Sequence, residues 1–372
     1  MTPLLVAPNP LDIPELIDLC LSNLHSQPDL CSCALVARSW VHPAQTRLFS
    51  TLRFHSDEKD WFPRIARLVS PQNSRLLPHI HHLIVRNGFT GIAELEGMLP
   101  LLGWTLRGRI SCPNLTRLTF LYDGPPLSRM ALVGLRDLLS LPTLHTVTIK
   151  CSGGFASERD FCRVWAICSP NIRHLIWMCN WPEESSWPTA HLQTTIQLRS
   201  LCLPRKAHPR FARKMLELLP FTLENLTTLS VSSINYSAVL WNVLQNKNIN
   251  NNNIRELHFR VEIFDPDDDI IGLDLANFPH LAFLDLAFPR WQHCLDLLAA
   301  LVRTIPPTNR LHAIQLELYA TANDAFSGSC EPQPLCTAIA GVAGVFELWL
   351  KMDPAAEFGL WRVNANAAIV SH

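Results

Sequence analysis

The sequence predicts an α/β protein in which three N-terminal helices precede an irregular solenoid, with short parallel strands on its concave side and helices on its convex side. Two observations support this prediction. Between residues 10 and 54, apolar residues recur at helical spacing. Farther along, a pattern of one apolar residue, two others, an apolar residue, one other and a third apolar residue recurs, at intervals of 26 to 30 residues between Leu115 and Leu311. The predicted domains are the helical unit, 1–55, the solenoid, 56–352, and a C-terminal cap or tail, 353–372.

The first predicted helix begins just after Asp12. Asp12 and Glu15 stand three residues apart, as in a capping box, so the Asp12 carboxylate is expected to accept hydrogen bonds from free backbone N–H groups. Pro14 falls in the first turn, where its missing N–H costs nothing. Five residues then form one apolar face: Leu16, Ile17, Cys20, Leu21 and Leu24.

Two further short helices are predicted before residue 54. The second begins at Pro28-Asp29 and runs toward Trp40, and Pro43 begins the third, which ends near Phe49. About forty residues bury too little surface to form a robust domain alone. The unit is therefore expected to dock, either on the rest of the chain or on a partner.

The order of these residues resembles an F-box, in the form common among fungal sequences. Pro14-Glu15-Leu16 matches the element that opens the first helix in that family, and Val36, Arg38 and Trp40 match the element that closes the second. The resemblance covers roughly the first fifty residues and implies docking on the Skp-type adaptor of a cullin-based ubiquitin ligase. The adaptor-binding residues that it implies are Ile13, Pro14, Glu15, Leu16, Ile17, Leu35, Val36 and Trp40.

One departure from that family leaves a second interpretation open. The leucine-proline pair usually found before the Pro-Glu element is replaced here by Asp12-Ile13. Ile13 can supply the apolar contact in place of the leucine, or the departure weakens contact with the adaptor. In the second interpretation the three helices are only a cap on the larger core.

The repeat accounts for most of the remaining chain. Its copies begin at Ile80, Leu115, Leu144, Ile172, Leu198, Leu226, Ile254, Leu281, Leu311 and Val345. The last two apolar positions of each copy alternate along a strand, so both side chains point inward. Phe49, Leu52 and Phe54 fit the same pattern, which predicts a strand directly after the helices. Helices are predicted over Ser128–Leu141, Ser157–Cys168, Arg210–Leu219, Ser237–Gln245 and Gln292–Thr304.

These repeats resemble leucine-rich repeats of the irregular kind found behind F-boxes. The asparagine or cysteine that the family places eight residues after the first apolar position is mostly missing; Asn180 occupies it in one copy, whereas Asp123 and Lys206 stand there in others. We therefore expect an uneven arc and not a regular horseshoe. The alternative is a non-repetitive α/β domain in which the leucines fall by chance.

Composition excludes several classes of function. The chain is 48% hydrophobic and 17% charged, with a formal net charge of -1, so it has no basic surface for nucleic acid. The twelve cysteines are scattered, and no signal peptide or membrane-spanning run is evident, which predicts reduced core cysteines and a soluble protein of the cytoplasm, the nucleus or both.

No signature of catalysis, metal or cofactor binding is evident in the sequence. There is no glycine-rich phosphate loop and no nucleophile elbow. His79, His81 and His82 cluster, but no second pair of ligands stands at metal spacing. We expect a non-enzyme without metal or cofactor.

A solenoid instead offers a long concave sheet for binding another protein. The candidate substrate contacts on that face are His258, Arg260 and Trp349, because aromatic and arginine side chains tend to dominate interface energy. The expected function is therefore substrate recognition in an SCF-type (Skp–cullin–F-box) E3 ubiquitin ligase. Two alternatives remain: a leucine-rich-repeat scaffold that never joins a ligase, and an unrecognised hydrolase in which a Ser or Cys meets a His and an acid.

Overall fold

The structure is a computed structural model. It describes residues 13–24, 26–56, 58, 60–87, 92–109, 112–153, 155, 157–179, 196–203, 221–232, 253–260, 274–289, 292–306, 309, 311–319, 337–338, 347–352 and 361–363. The chain is mixed α/β, as the sequence predicts, and it forms two compact units. Unit one comprises Met1–Val147 with Ile167–Ser169, and unit two comprises Thr148–Ala166 with Pro170–His372. The division at residues 55 and 352 stays a prediction.

Unit one alternates helices and strands after three consecutive helices. Its helices are α1 (Pro14–Ser22), α2 (Gln27–Cys33), α3 (Arg38–Leu48), α4 (Trp61–Val69), α5 (Ile92–Trp104) and α6 (Arg129–Leu139). A 3₁₀ segment spans Pro71–His79, and a π-helical turn, Thr105–Arg109, follows α5. Its strands are β1 (Thr51–His55), β2 (His82–Asn87) and β3 (Arg117–Tyr122); the division between the units falls inside β4 (Thr146–Cys151).

Helices α1, α2 and α3 enclose a small core of their own. Its buried members are Ile17, Leu21, Leu30, Trp40 and Ala44. The N-cap of α1 is Ile13, one residue after the predicted Asp12, and its side chain has no acceptor for the free N–H groups. Asp12 lies outside the described residues.

The boundary between α2 and α3 differs from the prediction. Helix α2 ends at Cys33, and α3 begins at Arg38, so Trp40 lies in the first turn of α3 and not at the end of α2. Pro43 lies inside α3 and does not begin it. The helix continues through the proline because Trp40 and Ala44, on either side, are both buried in the small core, so packing outweighs the missing backbone donor.

The strands of unit one are parallel and follow chain order. The repeat pattern sets their register: Leu83 and Val85 lie opposite Leu118 and Phe120. All four side chains are at most 2% exposed, whereas the residues between them are half-buried. Strand β1 pairs with β2 in the same register, as predicted for a strand directly after the helices.

Helices α5 and α6 approach each other through glycine. A Cβ atom added to Gly134 would lie 2.3 Å from the carbonyl carbon of Leu99, and one added to Gly103 would lie 2.7 Å from the carbonyl oxygen of Gly134. Both contacts are with backbone atoms, which cannot swing aside as a side chain can. Gly134 is therefore required for the close packing of these two helices.

Unit two continues the same arrangement. Its described helices are α7 (Glu158–Trp165) and α8 (Gln292–Arg303), with a 3₁₀ turn at Leu275–Asn277. Its strands are β5 (His174–Cys179), β6 (Ile196–Gln197), β7 (Ser200–Leu203), β8 (Phe221–Thr222), β9 (Thr228–Ser232), β10 (Glu256–Arg260), β11 (Phe283–Pro289), β12 (Ala313–Tyr319), β13 (Glu347–Met352) and β14 (Trp361–Val363). Strands β5, β7 and β9 to β13 pair in parallel, β6 pairs with β8, and β14 adds to β13 in the antiparallel direction.

The repeat also sets the register in unit two. Leu229, Leu257 and Leu284 are successive partners on β9, β10 and β11. The predicted helices at 128–141, 157–168 and 292–304 are confirmed as α6, α7 and α8, each shorter than predicted. Those predicted at 210–219 and 237–245 lie outside the described residues. No described helix is both long enough and apolar enough to cross a membrane.

Five aromatic rings fill part of the core of unit two: Phe155, Phe161, Trp165, Trp177 and Phe221. Trp177 lies at the third apolar position of its repeat, where other copies carry a smaller side chain. Its ring contacts Phe155 with centroids 5.8 Å apart, Phe161 at 5.4 Å and Trp165 at 5.6 Å. The large ring therefore joins three aromatic partners in one buried cluster.

Candidate functional site

The outer surface of the N-terminal helices carries four exposed apolar side chains, which we call the helical patch: Leu16, Leu19, Leu35 and Val36. Leu35 is 87% exposed, Leu19 62%, Val36 60% and Leu16 42%. Exposed apolar side chains that lie singly are ordinary, but several on one small unit are typical of a surface that a partner covers.

The local sequence explains why these side chains face outward. Leu16 and Leu19 are three residues apart on α1, so they share one face of the helix. Ile17 and Leu21 occupy the opposite face and fill the small core. Helix α1 therefore has apolar residues on two faces, and its own unit can bury only one of them.

Leu35 and Val36 are held outward by a turn. The backbone N–H of Leu35 donates to the carbonyl of Ser32 at 3.0 Å, and that of Val36 donates to the carbonyl of Cys33 at 3.1 Å. These bonds close the last turn of α2 and fix the connection to α3. Two apolar side chains in a short, hydrogen-bonded turn present a defined contact surface.

The eight predicted adaptor-binding residues differ in their exposure. Pro14, Glu15, Leu16, Leu35 and Val36 are exposed, and Ile13 is half-buried. Ile17 and Trp40 are only 1% and 8% exposed, so in this structure both side chains pack inside the helical unit, and their contact with a partner stays a prediction. Sequence reasoning missed Leu19, although its position three residues after Leu16 places it on the same helical face.

The helical unit is attached to the following segment through histidine. Thr46 Oγ1 on α3 and His79 Nδ1 are hydrogen-bonded, 3.0 Å apart, and the ring of His42 lies edge-on to that of His79 with centroids 5.0 Å apart. His79 is 9% exposed. Burial, with smaller contributions from His42 and His81, lowers the pKa of His79 below its ordinary value of 6.5.

Folding stability should therefore fall at mildly acidic pH. A buried histidine with a lowered pKa stays neutral in the folded chain, whereas the unfolded chain takes up a proton near pH 6.5. The contribution of neutral His79 to the free energy of unfolding is complete above pH 6.5. It is lost as the pH falls from 6.5 through the lower pKa of His79 in the folded chain. His82, whose pKa is lowered by burial and then by Arg117 and Arg53, acts in the same direction.

The measurement is urea denaturation of wild type and His79→Gln at about pH 7.5 and about pH 5, since glutamine retains a hydrogen-bonding group for Thr46 but does not titrate in this range. We expect a smaller loss of stability on acidification for His79→Gln than for wild type. The exposed His145 supplies the matched control, His145→Gln. Equal losses in all three proteins would contradict the assignment.

The predicted substrate contacts lie on neighbouring strands of unit two. His258 on β10 is half-buried, and its Nδ1 lies 3.0 Å from Oδ2 of Asp285 on β11. The backbone of Arg260 lies opposite Ala287, and that of Trp349 lies opposite Gln315. The side chains of Arg260 and Trp349 lie outside the described part of the structure.

The neighbours of His258 also bear on catalysis. Ser230, His258 and Asp285 are successive partners on β9, β10 and β11, which places a hydroxyl, an imidazole and a carboxylate in one row. In the described chain, however, no hydrogen bond joins Ser230 to His258. A serine nucleophile needs that bond to its base, so the row does not form a catalytic triad in this structure.

Burial also affects the chemistry of two described cysteines. Burial raises the pKa of Cys112 to about 11 and that of Cys168 to about 12, which makes both thiols poor nucleophiles. Among the described residues, no group of three or more His, Cys, Asp or Glu side chains could hold a metal ion. His79 and His82 instead bond to Thr46 and Thr119.

Comparison with known proteins does not identify a family for this chain. No family model matches the sequence, and no curated protein matches it. Among solved structures, a crystal structure of a Bacteroides fragilis protein is similar to 78% of this chain and 68% of its own, with 12% sequence identity and a TM-score of 0.34. A likeness at this level indicates neither fold nor function.

Proposed function

We propose that the protein is the substrate-recognition adaptor of an SCF-type E3 ubiquitin ligase. In this proposal α1, α2 and α3 are an F-box that binds the Skp-type subunit, and the repeats behind them are an irregular leucine-rich-repeat solenoid that binds a protein substrate. The chain performs no covalent chemistry. It holds its substrate near a conjugating enzyme carried elsewhere in the assembly, which raises the effective concentration of the target.

The observation that supports the proposal most directly is the exposure of the helical patch. Leu16, Leu35 and Val36 belong to the residues that the F-box resemblance implies, and all three are exposed although each is apolar. Fully burying a leucine side chain is worth about 1.5–3 kcal/mol. A partner that covered the helical patch would therefore gain a substantial driving force.

The solenoid part of the proposal is supported by the register of the strands. The strands follow chain order within each unit, and the same two positions of the repeat are buried on successive strands. The residues between them, including His258, face the other side of the sheet and are available to a substrate. Substrate recognition on that face is part of the proposal.

Two paired substitutions test adaptor binding. Leu35→Asp with Val36→Asp, and separately Leu16→Asp with Leu19→Asp, place charges on the helical patch without entering the core. Each pair should weaken capture of the purified Skp-type adaptor at least about 30-fold, the equivalent of about 2 kcal/mol for one central interface contact. Affinity is measured with the full chain, and circular dichroism checks that each variant remains folded.

The matched control is Met130→Asp with Val133→Asp, which changes two exposed apolar residues on α6. This control should bind the adaptor like wild type. Ile17→Asp is not a suitable test, because it would place a charge in the small core and unfold the helices. Folded patch variants that still capture the adaptor at full affinity would contradict the proposal and favour the scaffold that joins no ligase.

A further inference from the structure

A cleft of about 930 Å³ lies in unit one against strand β1. It is lined by part of α2, the C-terminal end of α3, all of β1 and part of α4. The helical patch is not part of it, since none of Leu16, Leu19, Leu35 and Val36 lines the cleft. The proposed adaptor contact therefore leaves the cleft unassigned.

One edge of β1 faces away from the sheet. Strand β1 is the first in the strand order and pairs only with β2 among the described strands. The Ser50 carbonyl accepts a hydrogen bond from the backbone of His82, and the Ser56 N–H donates to the Arg86 carbonyl, both at 3.0 Å. Because backbone groups alternate sides along a strand, those of Thr51, Arg53 and His55 point to the opposite edge.

That opposite edge retains unused backbone groups. The Arg53 carbonyl accepts a hydrogen bond from the Arg64 guanidinium at 2.8 Å, and the His55 carbonyl accepts one from the backbone of Glu58 at 3.1 Å. Among the described residues, the backbone N–H groups of Thr51 and Arg53 donate no hydrogen bond. An unpaired strand edge of this kind is a template for an added strand.

The charge of the cleft selects the occupant. Four arginines line it, Arg47, Arg53, Arg64 and Arg67, against one carboxylate, Glu58, which pairs with Arg64. Arg53 and Arg67 are exposed. The buried Nε of Arg47 has no acceptor among the described residues, although its terminal nitrogen donates to the Asp18 carbonyl at 3.2 Å. Guanidinium groups bind carboxylates through paired hydrogen bonds, so the lining favours an anionic ligand.

We propose that this cleft binds an extended acidic peptide segment of a partner protein, which pairs with the free edge of β1 as an additional strand. The arginines bind its carboxylates, and leucines of the lining, such as Leu48 and Leu68, contact apolar side chains that alternate with them. The inference does not depend on adaptor binding, because the helical patch and the cleft have no residue in common.

The probe is a fluorescein-labelled hexapeptide, Glu-Val-Glu-Val-Glu-Val, whose binding to the full chain is measured by fluorescence anisotropy. We expect saturable binding that Arg53→Glu and Arg67→Glu each weaken at least about tenfold, because each replaces an attractive charge with a repulsive one. Arg129→Glu makes the same change in net charge at an exposed position outside the cleft and should alter the affinity by less than about twofold.

Two isomeric peptides test the strand pairing. One carries N-methyl groups on its glutamates and the other on its valines, so in each peptide the methyl groups obstruct one edge only and keep that edge from approaching β1. An added strand uses one edge, so one isomer should lose at least about tenfold in affinity while the other retains it. The proposal would be overturned if the two isomers bound with equal affinity. It would also be overturned if Arg129→Glu weakened peptide binding as much as Arg53→Glu does, or if inorganic phosphate displaced the peptide completely.

Discussion

Trp177→Ala should destabilise unit two by about 3–5 kcal/mol, the usual range for removing a large buried aromatic side chain. Trp177 is fully buried, and its ring contacts Phe155, Phe161 and Trp165. Alanine would leave a cavity that the surrounding core cannot fill without moving, and three aromatic contacts would be lost at once. Urea denaturation of the full chain measures the effect as a shift in the midpoint.

Trp177→Phe is the matched variant for that experiment. The indole N–H of Trp177 is buried and has no acceptor among the described residues, so phenylalanine removes an unsatisfied donor as well as some volume. The two effects oppose each other, and we expect a loss of no more than about 1.5 kcal/mol. If alanine and phenylalanine destabilise equally, the aromatic contacts do not account for the stability of this core.

Gly134→Ala should destabilise unit one by about 3 kcal/mol, at the upper end of the range for overpacking. The new Cβ atom would lie 2.3 Å from the carbonyl carbon of Leu99 and 2.5 Å from the backbone nitrogen of Pro100. Helices α5 and α6 must then move apart and lose contact along their length. The higher helix propensity of alanine offsets only about 1 kcal/mol of that loss.

Gly97→Ala is the control, because it makes the same chemical change in α5 with room for the new atom. The added Cβ would meet only the side chain of Trp61, at 3.5 Å, which is an ordinary contact. We expect it to raise stability by about 0.5–1 kcal/mol through helix propensity alone. Thermal denaturation of both variants gives the comparison; a neutral Gly134→Ala would show that the two helices are not in close contact.

The strands could be predicted from the sequence because their signal is local and repeated. A short strand buries alternate residues, so Leu118 and Phe120 identify β3, and the return of the same pattern along the chain identifies its neighbours. The same positions then lie opposite one another, as Leu83 lies opposite Leu118. Both the elements and their register follow from the pattern.

The helices of the first hundred residues were harder to predict. Residues 61–69 and 92–104 form α4 and α5, which the repeat pattern did not indicate. Pro43 and Pro100 both lie inside helices, where a rule based on the missing N–H predicts a boundary. Packing of the surrounding residues decided these cases, and packing is not visible in a local window.

The candidate site was predictable in outline but not in detail. Helical spacing grouped Leu16 with Ile17, whereas the structure exposes the first and buries the second. Helix α1 carries apolar residues on two faces, so periodicity alone cannot tell which face meets α3 and which remains outside. The cleft beside β1 was not predicted, because its arginines come from three separate elements.

The pairing of strands in chain order has a consequence for how such a chain can vary. A strand inside the parallel run is held by a neighbour on each side, as β10 is held by β9 and β11. A longer or shorter connection between two strands therefore leaves the pairing of all the other strands unchanged. The buried strand positions can therefore stay the same during evolution, while the connecting loops and their exposed side chains change.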